Sequence, residues 1–102
     1  MKRYILSPEA QQDLHDIRAY LLEAAGLAVS RHVMRKIFES MRFLSVMPGV
    51  GHFRQDLTGE PVKFWQVFSY LIVYDHLTRP IGIARVLHSS RDVAAILSRA
   101  SP

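Results

Sequence analysis

The chain has 102 residues, 49% of them hydrophobic, no cysteine and a formal net charge of +4. That length holds one domain around a modest core, and the lack of cysteine excludes disulfides and thiolate chemistry. The opening MKRYILSPEAQ has only three consecutive apolar residues before Ser7 and Pro8, so no secretory signal or membrane span is expected and the protein is read as cytoplasmic.

RYIL, Arg3 to Leu6, is a short β-prone run that ends at Ser-Pro-Glu. Ser7 is placed to cap a free amide of a first helical turn, and Pro8 suits the first helical position because its missing N–H goes unused there. The spacing predicts a helix over 8 to about 25, with Ala10, Leu14, Ile17, Leu21, Ala24 and Ala25 on one apolar stripe. Glu9, Asp13, Asp16 and Glu23 lie to one side of it, and Gly26 is the expected stop.

A second helix is predicted over 28 to about 46, with Val33, Ile37, Met41 and Leu44 as its stripe and Met34 beside them. Arg31, Arg35 and Arg42 project from nearly the opposite side, with Phe38 among them. Two such helices joined by a short glycine-containing link pack as an antiparallel hairpin. Residues 26–55 carry five Lys/Arg against one acid, so the positive excess sits in this part of the chain, a charge compatible with nucleic acid, an acidic protein or no particular partner.

MPGVGHFRQDLTGEP, Met47 to Pro61, is punctuated by Pro48, Gly49, Gly51, Gly59 and Pro61 and keeps no period. Three β-rich runs follow, VKFWQVF, YLIVYDH and PIGIARVLH, with breaks short enough for antiparallel neighbours. Tyr70 to Tyr74 is apolar throughout, so both faces of that strand need cover. The helical hairpin covers one, and the helical tail RDVAAILSRA, with Asp92 near its start, covers part of the other. The expected architecture is a single α+β domain over 1–102, in the order β-α-α-β-β-β-(α), a helical hairpin packed on a small, largely antiparallel sheet.

RVLHSSRDV, Arg85 to Val93, gathers a histidine, two serines, an arginine and an aspartate within the five residues from His88 to Asp92. A Ser-His-Asp hydrolase is disfavoured, because adjacent residues at a strand end diverge and no nucleophile elbow is present. The bland reading is a serine-containing turn with Asp92 favouring the next helix's N-terminus. His15, His32, His52, His76 and His88 show no metal-ligand spacing, so no metal and no cofactor are expected. A metal-free ribonuclease needs a proton acceptor, a donor and phosphate-facing cations. Arg54, Lys63, Arg85, His88 and Arg91 supply these if loop and strand end converge; the competing reading is surface cations and structural pairs, such as Arg54 with Asp56.

The Pro-Gly…Arg-x-Asp-Leu loop, the Ser-Tyr-Leu-Ile-x-Tyr strand and the Arg-Val-Leu-His-x-x-Arg-Asp corner, in this order over about residues 3–97, resemble the ParE branch of the RelE/ParE toxin superfamily. The resemblance implies a bacterial type II toxin that poisons DNA gyrase by protein contact, without catalysis, and is neutralised by a cognate ParD-like antitoxin. It makes Leu22, Phe38, Phe43 and Trp65 candidate antitoxin contacts, with core burial as the competing explanation for each, and Arg85, His88 and Arg91 candidate target contacts. Direct nucleic-acid binding is not expected without the antitoxin. The alternatives are a ribosome-dependent mRNA interferase of the RelE type, with Arg54, Arg85, His88 and Arg91 as its catalytic set, and a degenerate member that binds antitoxin without toxicity. No tyrosine follows Tyr74 and lysines are few, which departs from the RelE pattern.

Overall fold

The computed structural model describes residues 3–100. The elements are β1 (Tyr4–Leu6), α1 (Pro8–Ala25), α2 (Leu27–Val46), a 3₁₀ turn (Pro48–Val50), β2 (Lys63–Val67), β3 (Tyr70–Asp75), β4 (Ile81–His88) and α3 (Val93–Ala100). Helix α1 begins as its sequence requires: the Ser7 Oγ accepts the Ala10 N–H at 3.0 Å, and Pro8 occupies the first turn. A single glycine both ends α1 and begins α2. At φ +91° the Gly26 N–H donates to the Leu21 and Leu22 carbonyls, while its own carbonyl accepts the Ser30 N–H. Ser30 is buried, and its hydroxyl donates to the Arg18 carbonyl at 3.2 Å, tying the two helices together at a point where a small side chain lets them approach.

The sheet has the order β1-β4-β3-β2, with β1 parallel to β4 and the other two pairings antiparallel. One face packs on the hairpin: Ala10, Leu14 and Ile17 of α1 and Met34, Ile37, Met41 and Leu44 of α2 meet Ile72, Tyr74, Ile81, Ile83 and Val86. On the other face Phe64, Leu71, Val73 and Leu87 gather under Val93, Ile96 and Leu97. Tyr70–Tyr74 is therefore buried throughout, as its unbroken apolar run predicts. Asp92 caps α3 by accepting the Ala95 N–H at 3.2 Å.

Two expectations about the hairpin need correcting. Ala24 and Ala25 are exposed, because residues 22–29 form the bend beyond the core. Asp13, read as one of the acids beside the stripe, is only 7% exposed and lies between α1 and β4. Its burial follows from the sheet. β1 is three residues long and pairs only with Ile81–Ile83, so β4 from Ala84 onward has no strand on that side. Helix α1 supplies the missing hydrogen bonds instead. The Ser7 N–H donates to the Ile83 carbonyl at 3.0 Å, the Ser7 hydroxyl to the Ala84 carbonyl at 2.6 Å, and the Val86 N–H to Asp13 Oδ2 at 3.0 Å.

The glycine-rich segment after α2 is held by Tyr74. Its hydroxyl accepts the Gly51 N–H at 3.0 Å and donates to the Pro48 carbonyl at 2.8 Å, from inside the core. A Cβ at Gly51 would stand 2.9 Å from Tyr74 Cε1 and 3.0 Å from the Phe64 carbonyl, so only glycine fits. Lys63 clamps the same segment through the Gly49 and Gly51 carbonyls.

Candidate functional site

Two surfaces emerge from this frame. The first is a cleft of about 310 Å³ where α1 passes the end of β4 that β1 does not reach. Ile17 and Val86 form its apolar floor, Asp16 and Tyr20 rise from α1, and His88, Ser90 and Arg91 close it from the turn after β4. Tyr70 lines the cleft next to His88, their rings meeting edge to face at 5.2 Å. Burial raises the Tyr70 phenol above its ordinary value, and the neighbouring Tyr20 phenol adds to the shift. The Ser90 N–H donates to His88 Nδ1 at 3.1 Å, which makes Nδ1 the acceptor and leaves Nε2 as the N–H of the neutral ring.

Arg85 is adjacent but turned away from a ligand. Its guanidinium donates through Nε and Nη2 to the two Asp13 oxygens, both at 2.8 Å, and this pairing raises its affinity for the proton. A register shift between Val73 and Tyr74 makes the geometry possible. Val73 faces Arg85 and Tyr74 faces Ile83, so one extra residue on β4 bends the strand beside α1. Arg54 is likewise engaged, donating to Asp56 at 2.9 and 2.8 Å from the loop before β2, as the sequence reading allowed. The hydrogen bond holds the Asp56 carboxyl below its usual range. Lys63 binds loop carbonyls and sits over the Phe53 ring at 4.7 Å. Of the five groups considered for RNA cleavage, only His88 and Arg91 share the cleft. Among the described residues no three His, Asp or Glu gather as metal ligands, and no helix is long and apolar enough to cross a membrane.

The second surface is an aromatic flank between α2 and the outer edge of the sheet. The Phe43 and Trp65 rings meet at 5.6 Å, tilted 47° to one another, and His52 lies near-parallel to Trp65 at 6.5 Å. His52 is fixed there by an isolated antiparallel bridge to Phe64. Further along, His32 of α2 meets Phe68 at 5.9 Å. Phe68 holds φ +54° in the β2–β3 turn, a strained setting for a bulky residue, and its ring is exposed. The candidate antitoxin contacts thus divide. Phe43 is 43% exposed and joins the half-buried Trp65 in one patch; Phe38 packs partly against the core; Leu22 is 49% exposed near the hairpin bend, beside Leu27.

The sequence reading missed Asp13, Asp16, Tyr20 and Tyr70 as cleft residues and His52 and His32 as members of the flank. A signal for the first group existed: Asp13, Asp16, Ile17 and Tyr20 recur at three- and four-residue steps, which places them on one helix face.

A family model described as the ParE toxin of the type II toxin–antitoxin system, parDE, matches residues 4–93. Among solved structures, one described as a chromosomal ParDE toxin–antitoxin system from P. aeruginosa superposes with a TM-score of 0.71 at 16% identity, over 83% of this chain and 92% of the other. No curated protein matches the chain.

Proposed function

The chain belongs to the ParE toxins of type II toxin–antitoxin systems, and from that premise we propose that it inhibits DNA gyrase by protein contact and is neutralised in the cytoplasm by a cognate ParD-like antitoxin. One observation carries the non-catalytic reading. Three of the cations an RNA-cleaving site would aim at phosphate are engaged within the chain, Arg85 with Asp13 in a shielded pair, and Arg54 with Asp56 and Lys63 with loop carbonyls at the surface. What remains is shape, apolar area and a few side chains on two separate faces. His88 and Arg91 present the target face, with Arg85 acting through the Asp13 it holds in place. The aromatic flank receives the antitoxin: Phe43 and Trp65 form its centre, Phe38, half-buried against the core, contributes its accessible edge, and Leu22 extends the contact along the hairpin. A stable complex buries about 800 Å² per partner, which flank and hairpin together can supply.

Inducible expression in a bacterial host tests the reading. Chromosomal breaks and an SOS response with transcripts intact are expected. Early transcript cleavage would instead identify an mRNA interferase, and harmless accumulation of folded protein would identify an antitoxin-binding relative without toxicity.

A further inference from the structure

We propose that the cleft between α1 and the β4–α3 turn is a recognition pocket for a single acidic side chain of a partner protein, seated against Arg91 and His88, with Asp16 across the mouth turning away dianions such as inorganic phosphate. The inference deepens the target-face reading and rests on it only for who the partner is.

The opening is a consequence of topology. Strand β1 stops at Leu6, α1 substitutes for it only as far as Val86, and the end of β4, paired with β3 on its other edge, is left open on this side. Val86 donates outward, to Asp13, and hydrogen-bond direction alternates along an antiparallel strand. The His88 N–H therefore also faces this open side, while its carbonyl accepts the Arg91 N–H.

The groups around the opening are mostly donors. His88 contributes Nε2–H, because Nδ1 is taken by Ser90. Among the described residues the Arg91 guanidinium forms no ion pair and the Tyr20 and Tyr70 hydroxyls make no hydrogen bond, the Tyr20 side chain standing 66% exposed at the cleft. Donors left open around an apolar floor call for an acceptor that also brings carbon, and a carboxylate on an aliphatic stem is both.

Five titratable groups besides the phenols bear on the charge of the site, Asp13, Arg85, Asp16, His88 and Arg91. Asp13 is neutralised by the fork of Arg85 and the Val86 N–H. Asp16 has one oxygen engaged by the Gln12 amide and no cation paired with it among the described residues. One negative charge therefore faces His88 and Arg91 across the mouth. A monovalent carboxylate can reach the inner donors and leave Asp16 in water, whereas a phosphate places two charges against it. The chain's overall positive charge draws acidic partners from a distance, and the rim selects among them at contact.

Titration of the isotope-labelled full chain followed by NMR tests the pocket directly. The probes are N-acetyl-leucyl-glutamyl amide, its glutaminyl and arginyl counterparts, and inorganic phosphate. The glutamyl probe is expected to shift the His88, Ser90 and Arg91 amides saturably, with the glutaminyl probe about fivefold weaker. Arg91→Ala should remove that difference, and Asp16→Asn should admit phosphate; both side chains are exposed, so unchanged amide spectra elsewhere certify the fold. Preference for the arginyl probe, equal binding of phosphate by the unmodified chain, or no saturable shift with any probe overturns the inference. Glutamyl binding without gyrase inhibition would sustain the pocket and remove the target assignment, and gyrase inhibition without glutamyl binding would do the reverse.

Discussion

Asp13 on α1 and Arg85 on β4 are joined by two parallel hydrogen bonds of 2.8 Å, and a third bond to the same carboxylate comes from the Val86 N–H. The pair is mostly shielded from water, and removing one partner strands the other. Asp13→Ala and Arg85→Ala should each lower the unfolding free energy by about 3 kcal/mol, with the double variant losing less than the sum. His88→Ala and Arg91→Ala should cost less than about 1 kcal/mol. Urea denaturation of the five variants separates the residue that builds the corner from those that present it.

The pairing also marks the limit of what the sequence discloses. The resemblance located the corner and its three basic or titratable residues, and the separation of helix from strand was read from period and caps alone. Ser7, Gly26 and Asp92 cap where local chemistry says they should, because a cap depends on neighbours in the chain. Helical spacing puts Asp13 to one side of the apolar stripe with Glu9, Asp16 and Glu23, because spacing describes a face and says nothing of what approaches it. Its partner lies 72 residues away, and the need for it arises only from a three-residue β1 that leaves β4 uncovered. The flank was legible in part for the same reason. Phe43 and Trp65 were named, whereas His52 joins them through a bridge to Phe64 that no local pattern announces.

Tyr74 should prove indispensable to the segment after α2. Tyr74→Phe leaves the Gly51 N–H and the Pro48 carbonyl without their partner, at a cost of about 1–3 kcal/mol. Gly51→Ala forces a Cβ against Tyr74 and the Phe64 carbonyl and should cost about the same by overpacking. Thermal unfolding of both variants checks this, together with loss of hydrogen-exchange protection at the His52–Phe64 bridge.

Alkaline pH should destabilise the protein through its buried phenols. Burial raises Tyr4, Tyr70 and Tyr74 above the ordinary value of 10.0, so the unfolded chain loses these protons first. Stability from this source is fully present below pH 10, and declines as pH rises through 10 toward the higher folded values. Tyrosinate absorbance should show late-titrating phenols, and Tyr74→Phe should flatten the fall of unfolding free energy with pH.

Phe43→Ala should weaken antitoxin binding about tenfold or more while leaving the fold intact, because its ring is largely exposed and centred in the aromatic patch. Leu22→Ala, at the edge of the contact, should cost less. Calorimetric titration with the protein encoded beside the toxin's reading frame measures both. Equal losses at the two positions would move the centre of the interface to the hairpin bend.

The decisive measurement is a supercoiling and cleavage assay with purified gyrase, relaxed plasmid and this chain, run beside an mRNA on translating ribosomes. The account predicts that the chain stops supercoiling, traps cleaved plasmid, weakens in both effects on Arg91→Ala, and leaves the mRNA whole. An untouched gyrase together with a message cut in the ribosome, lost on His88→Ala, would contradict it.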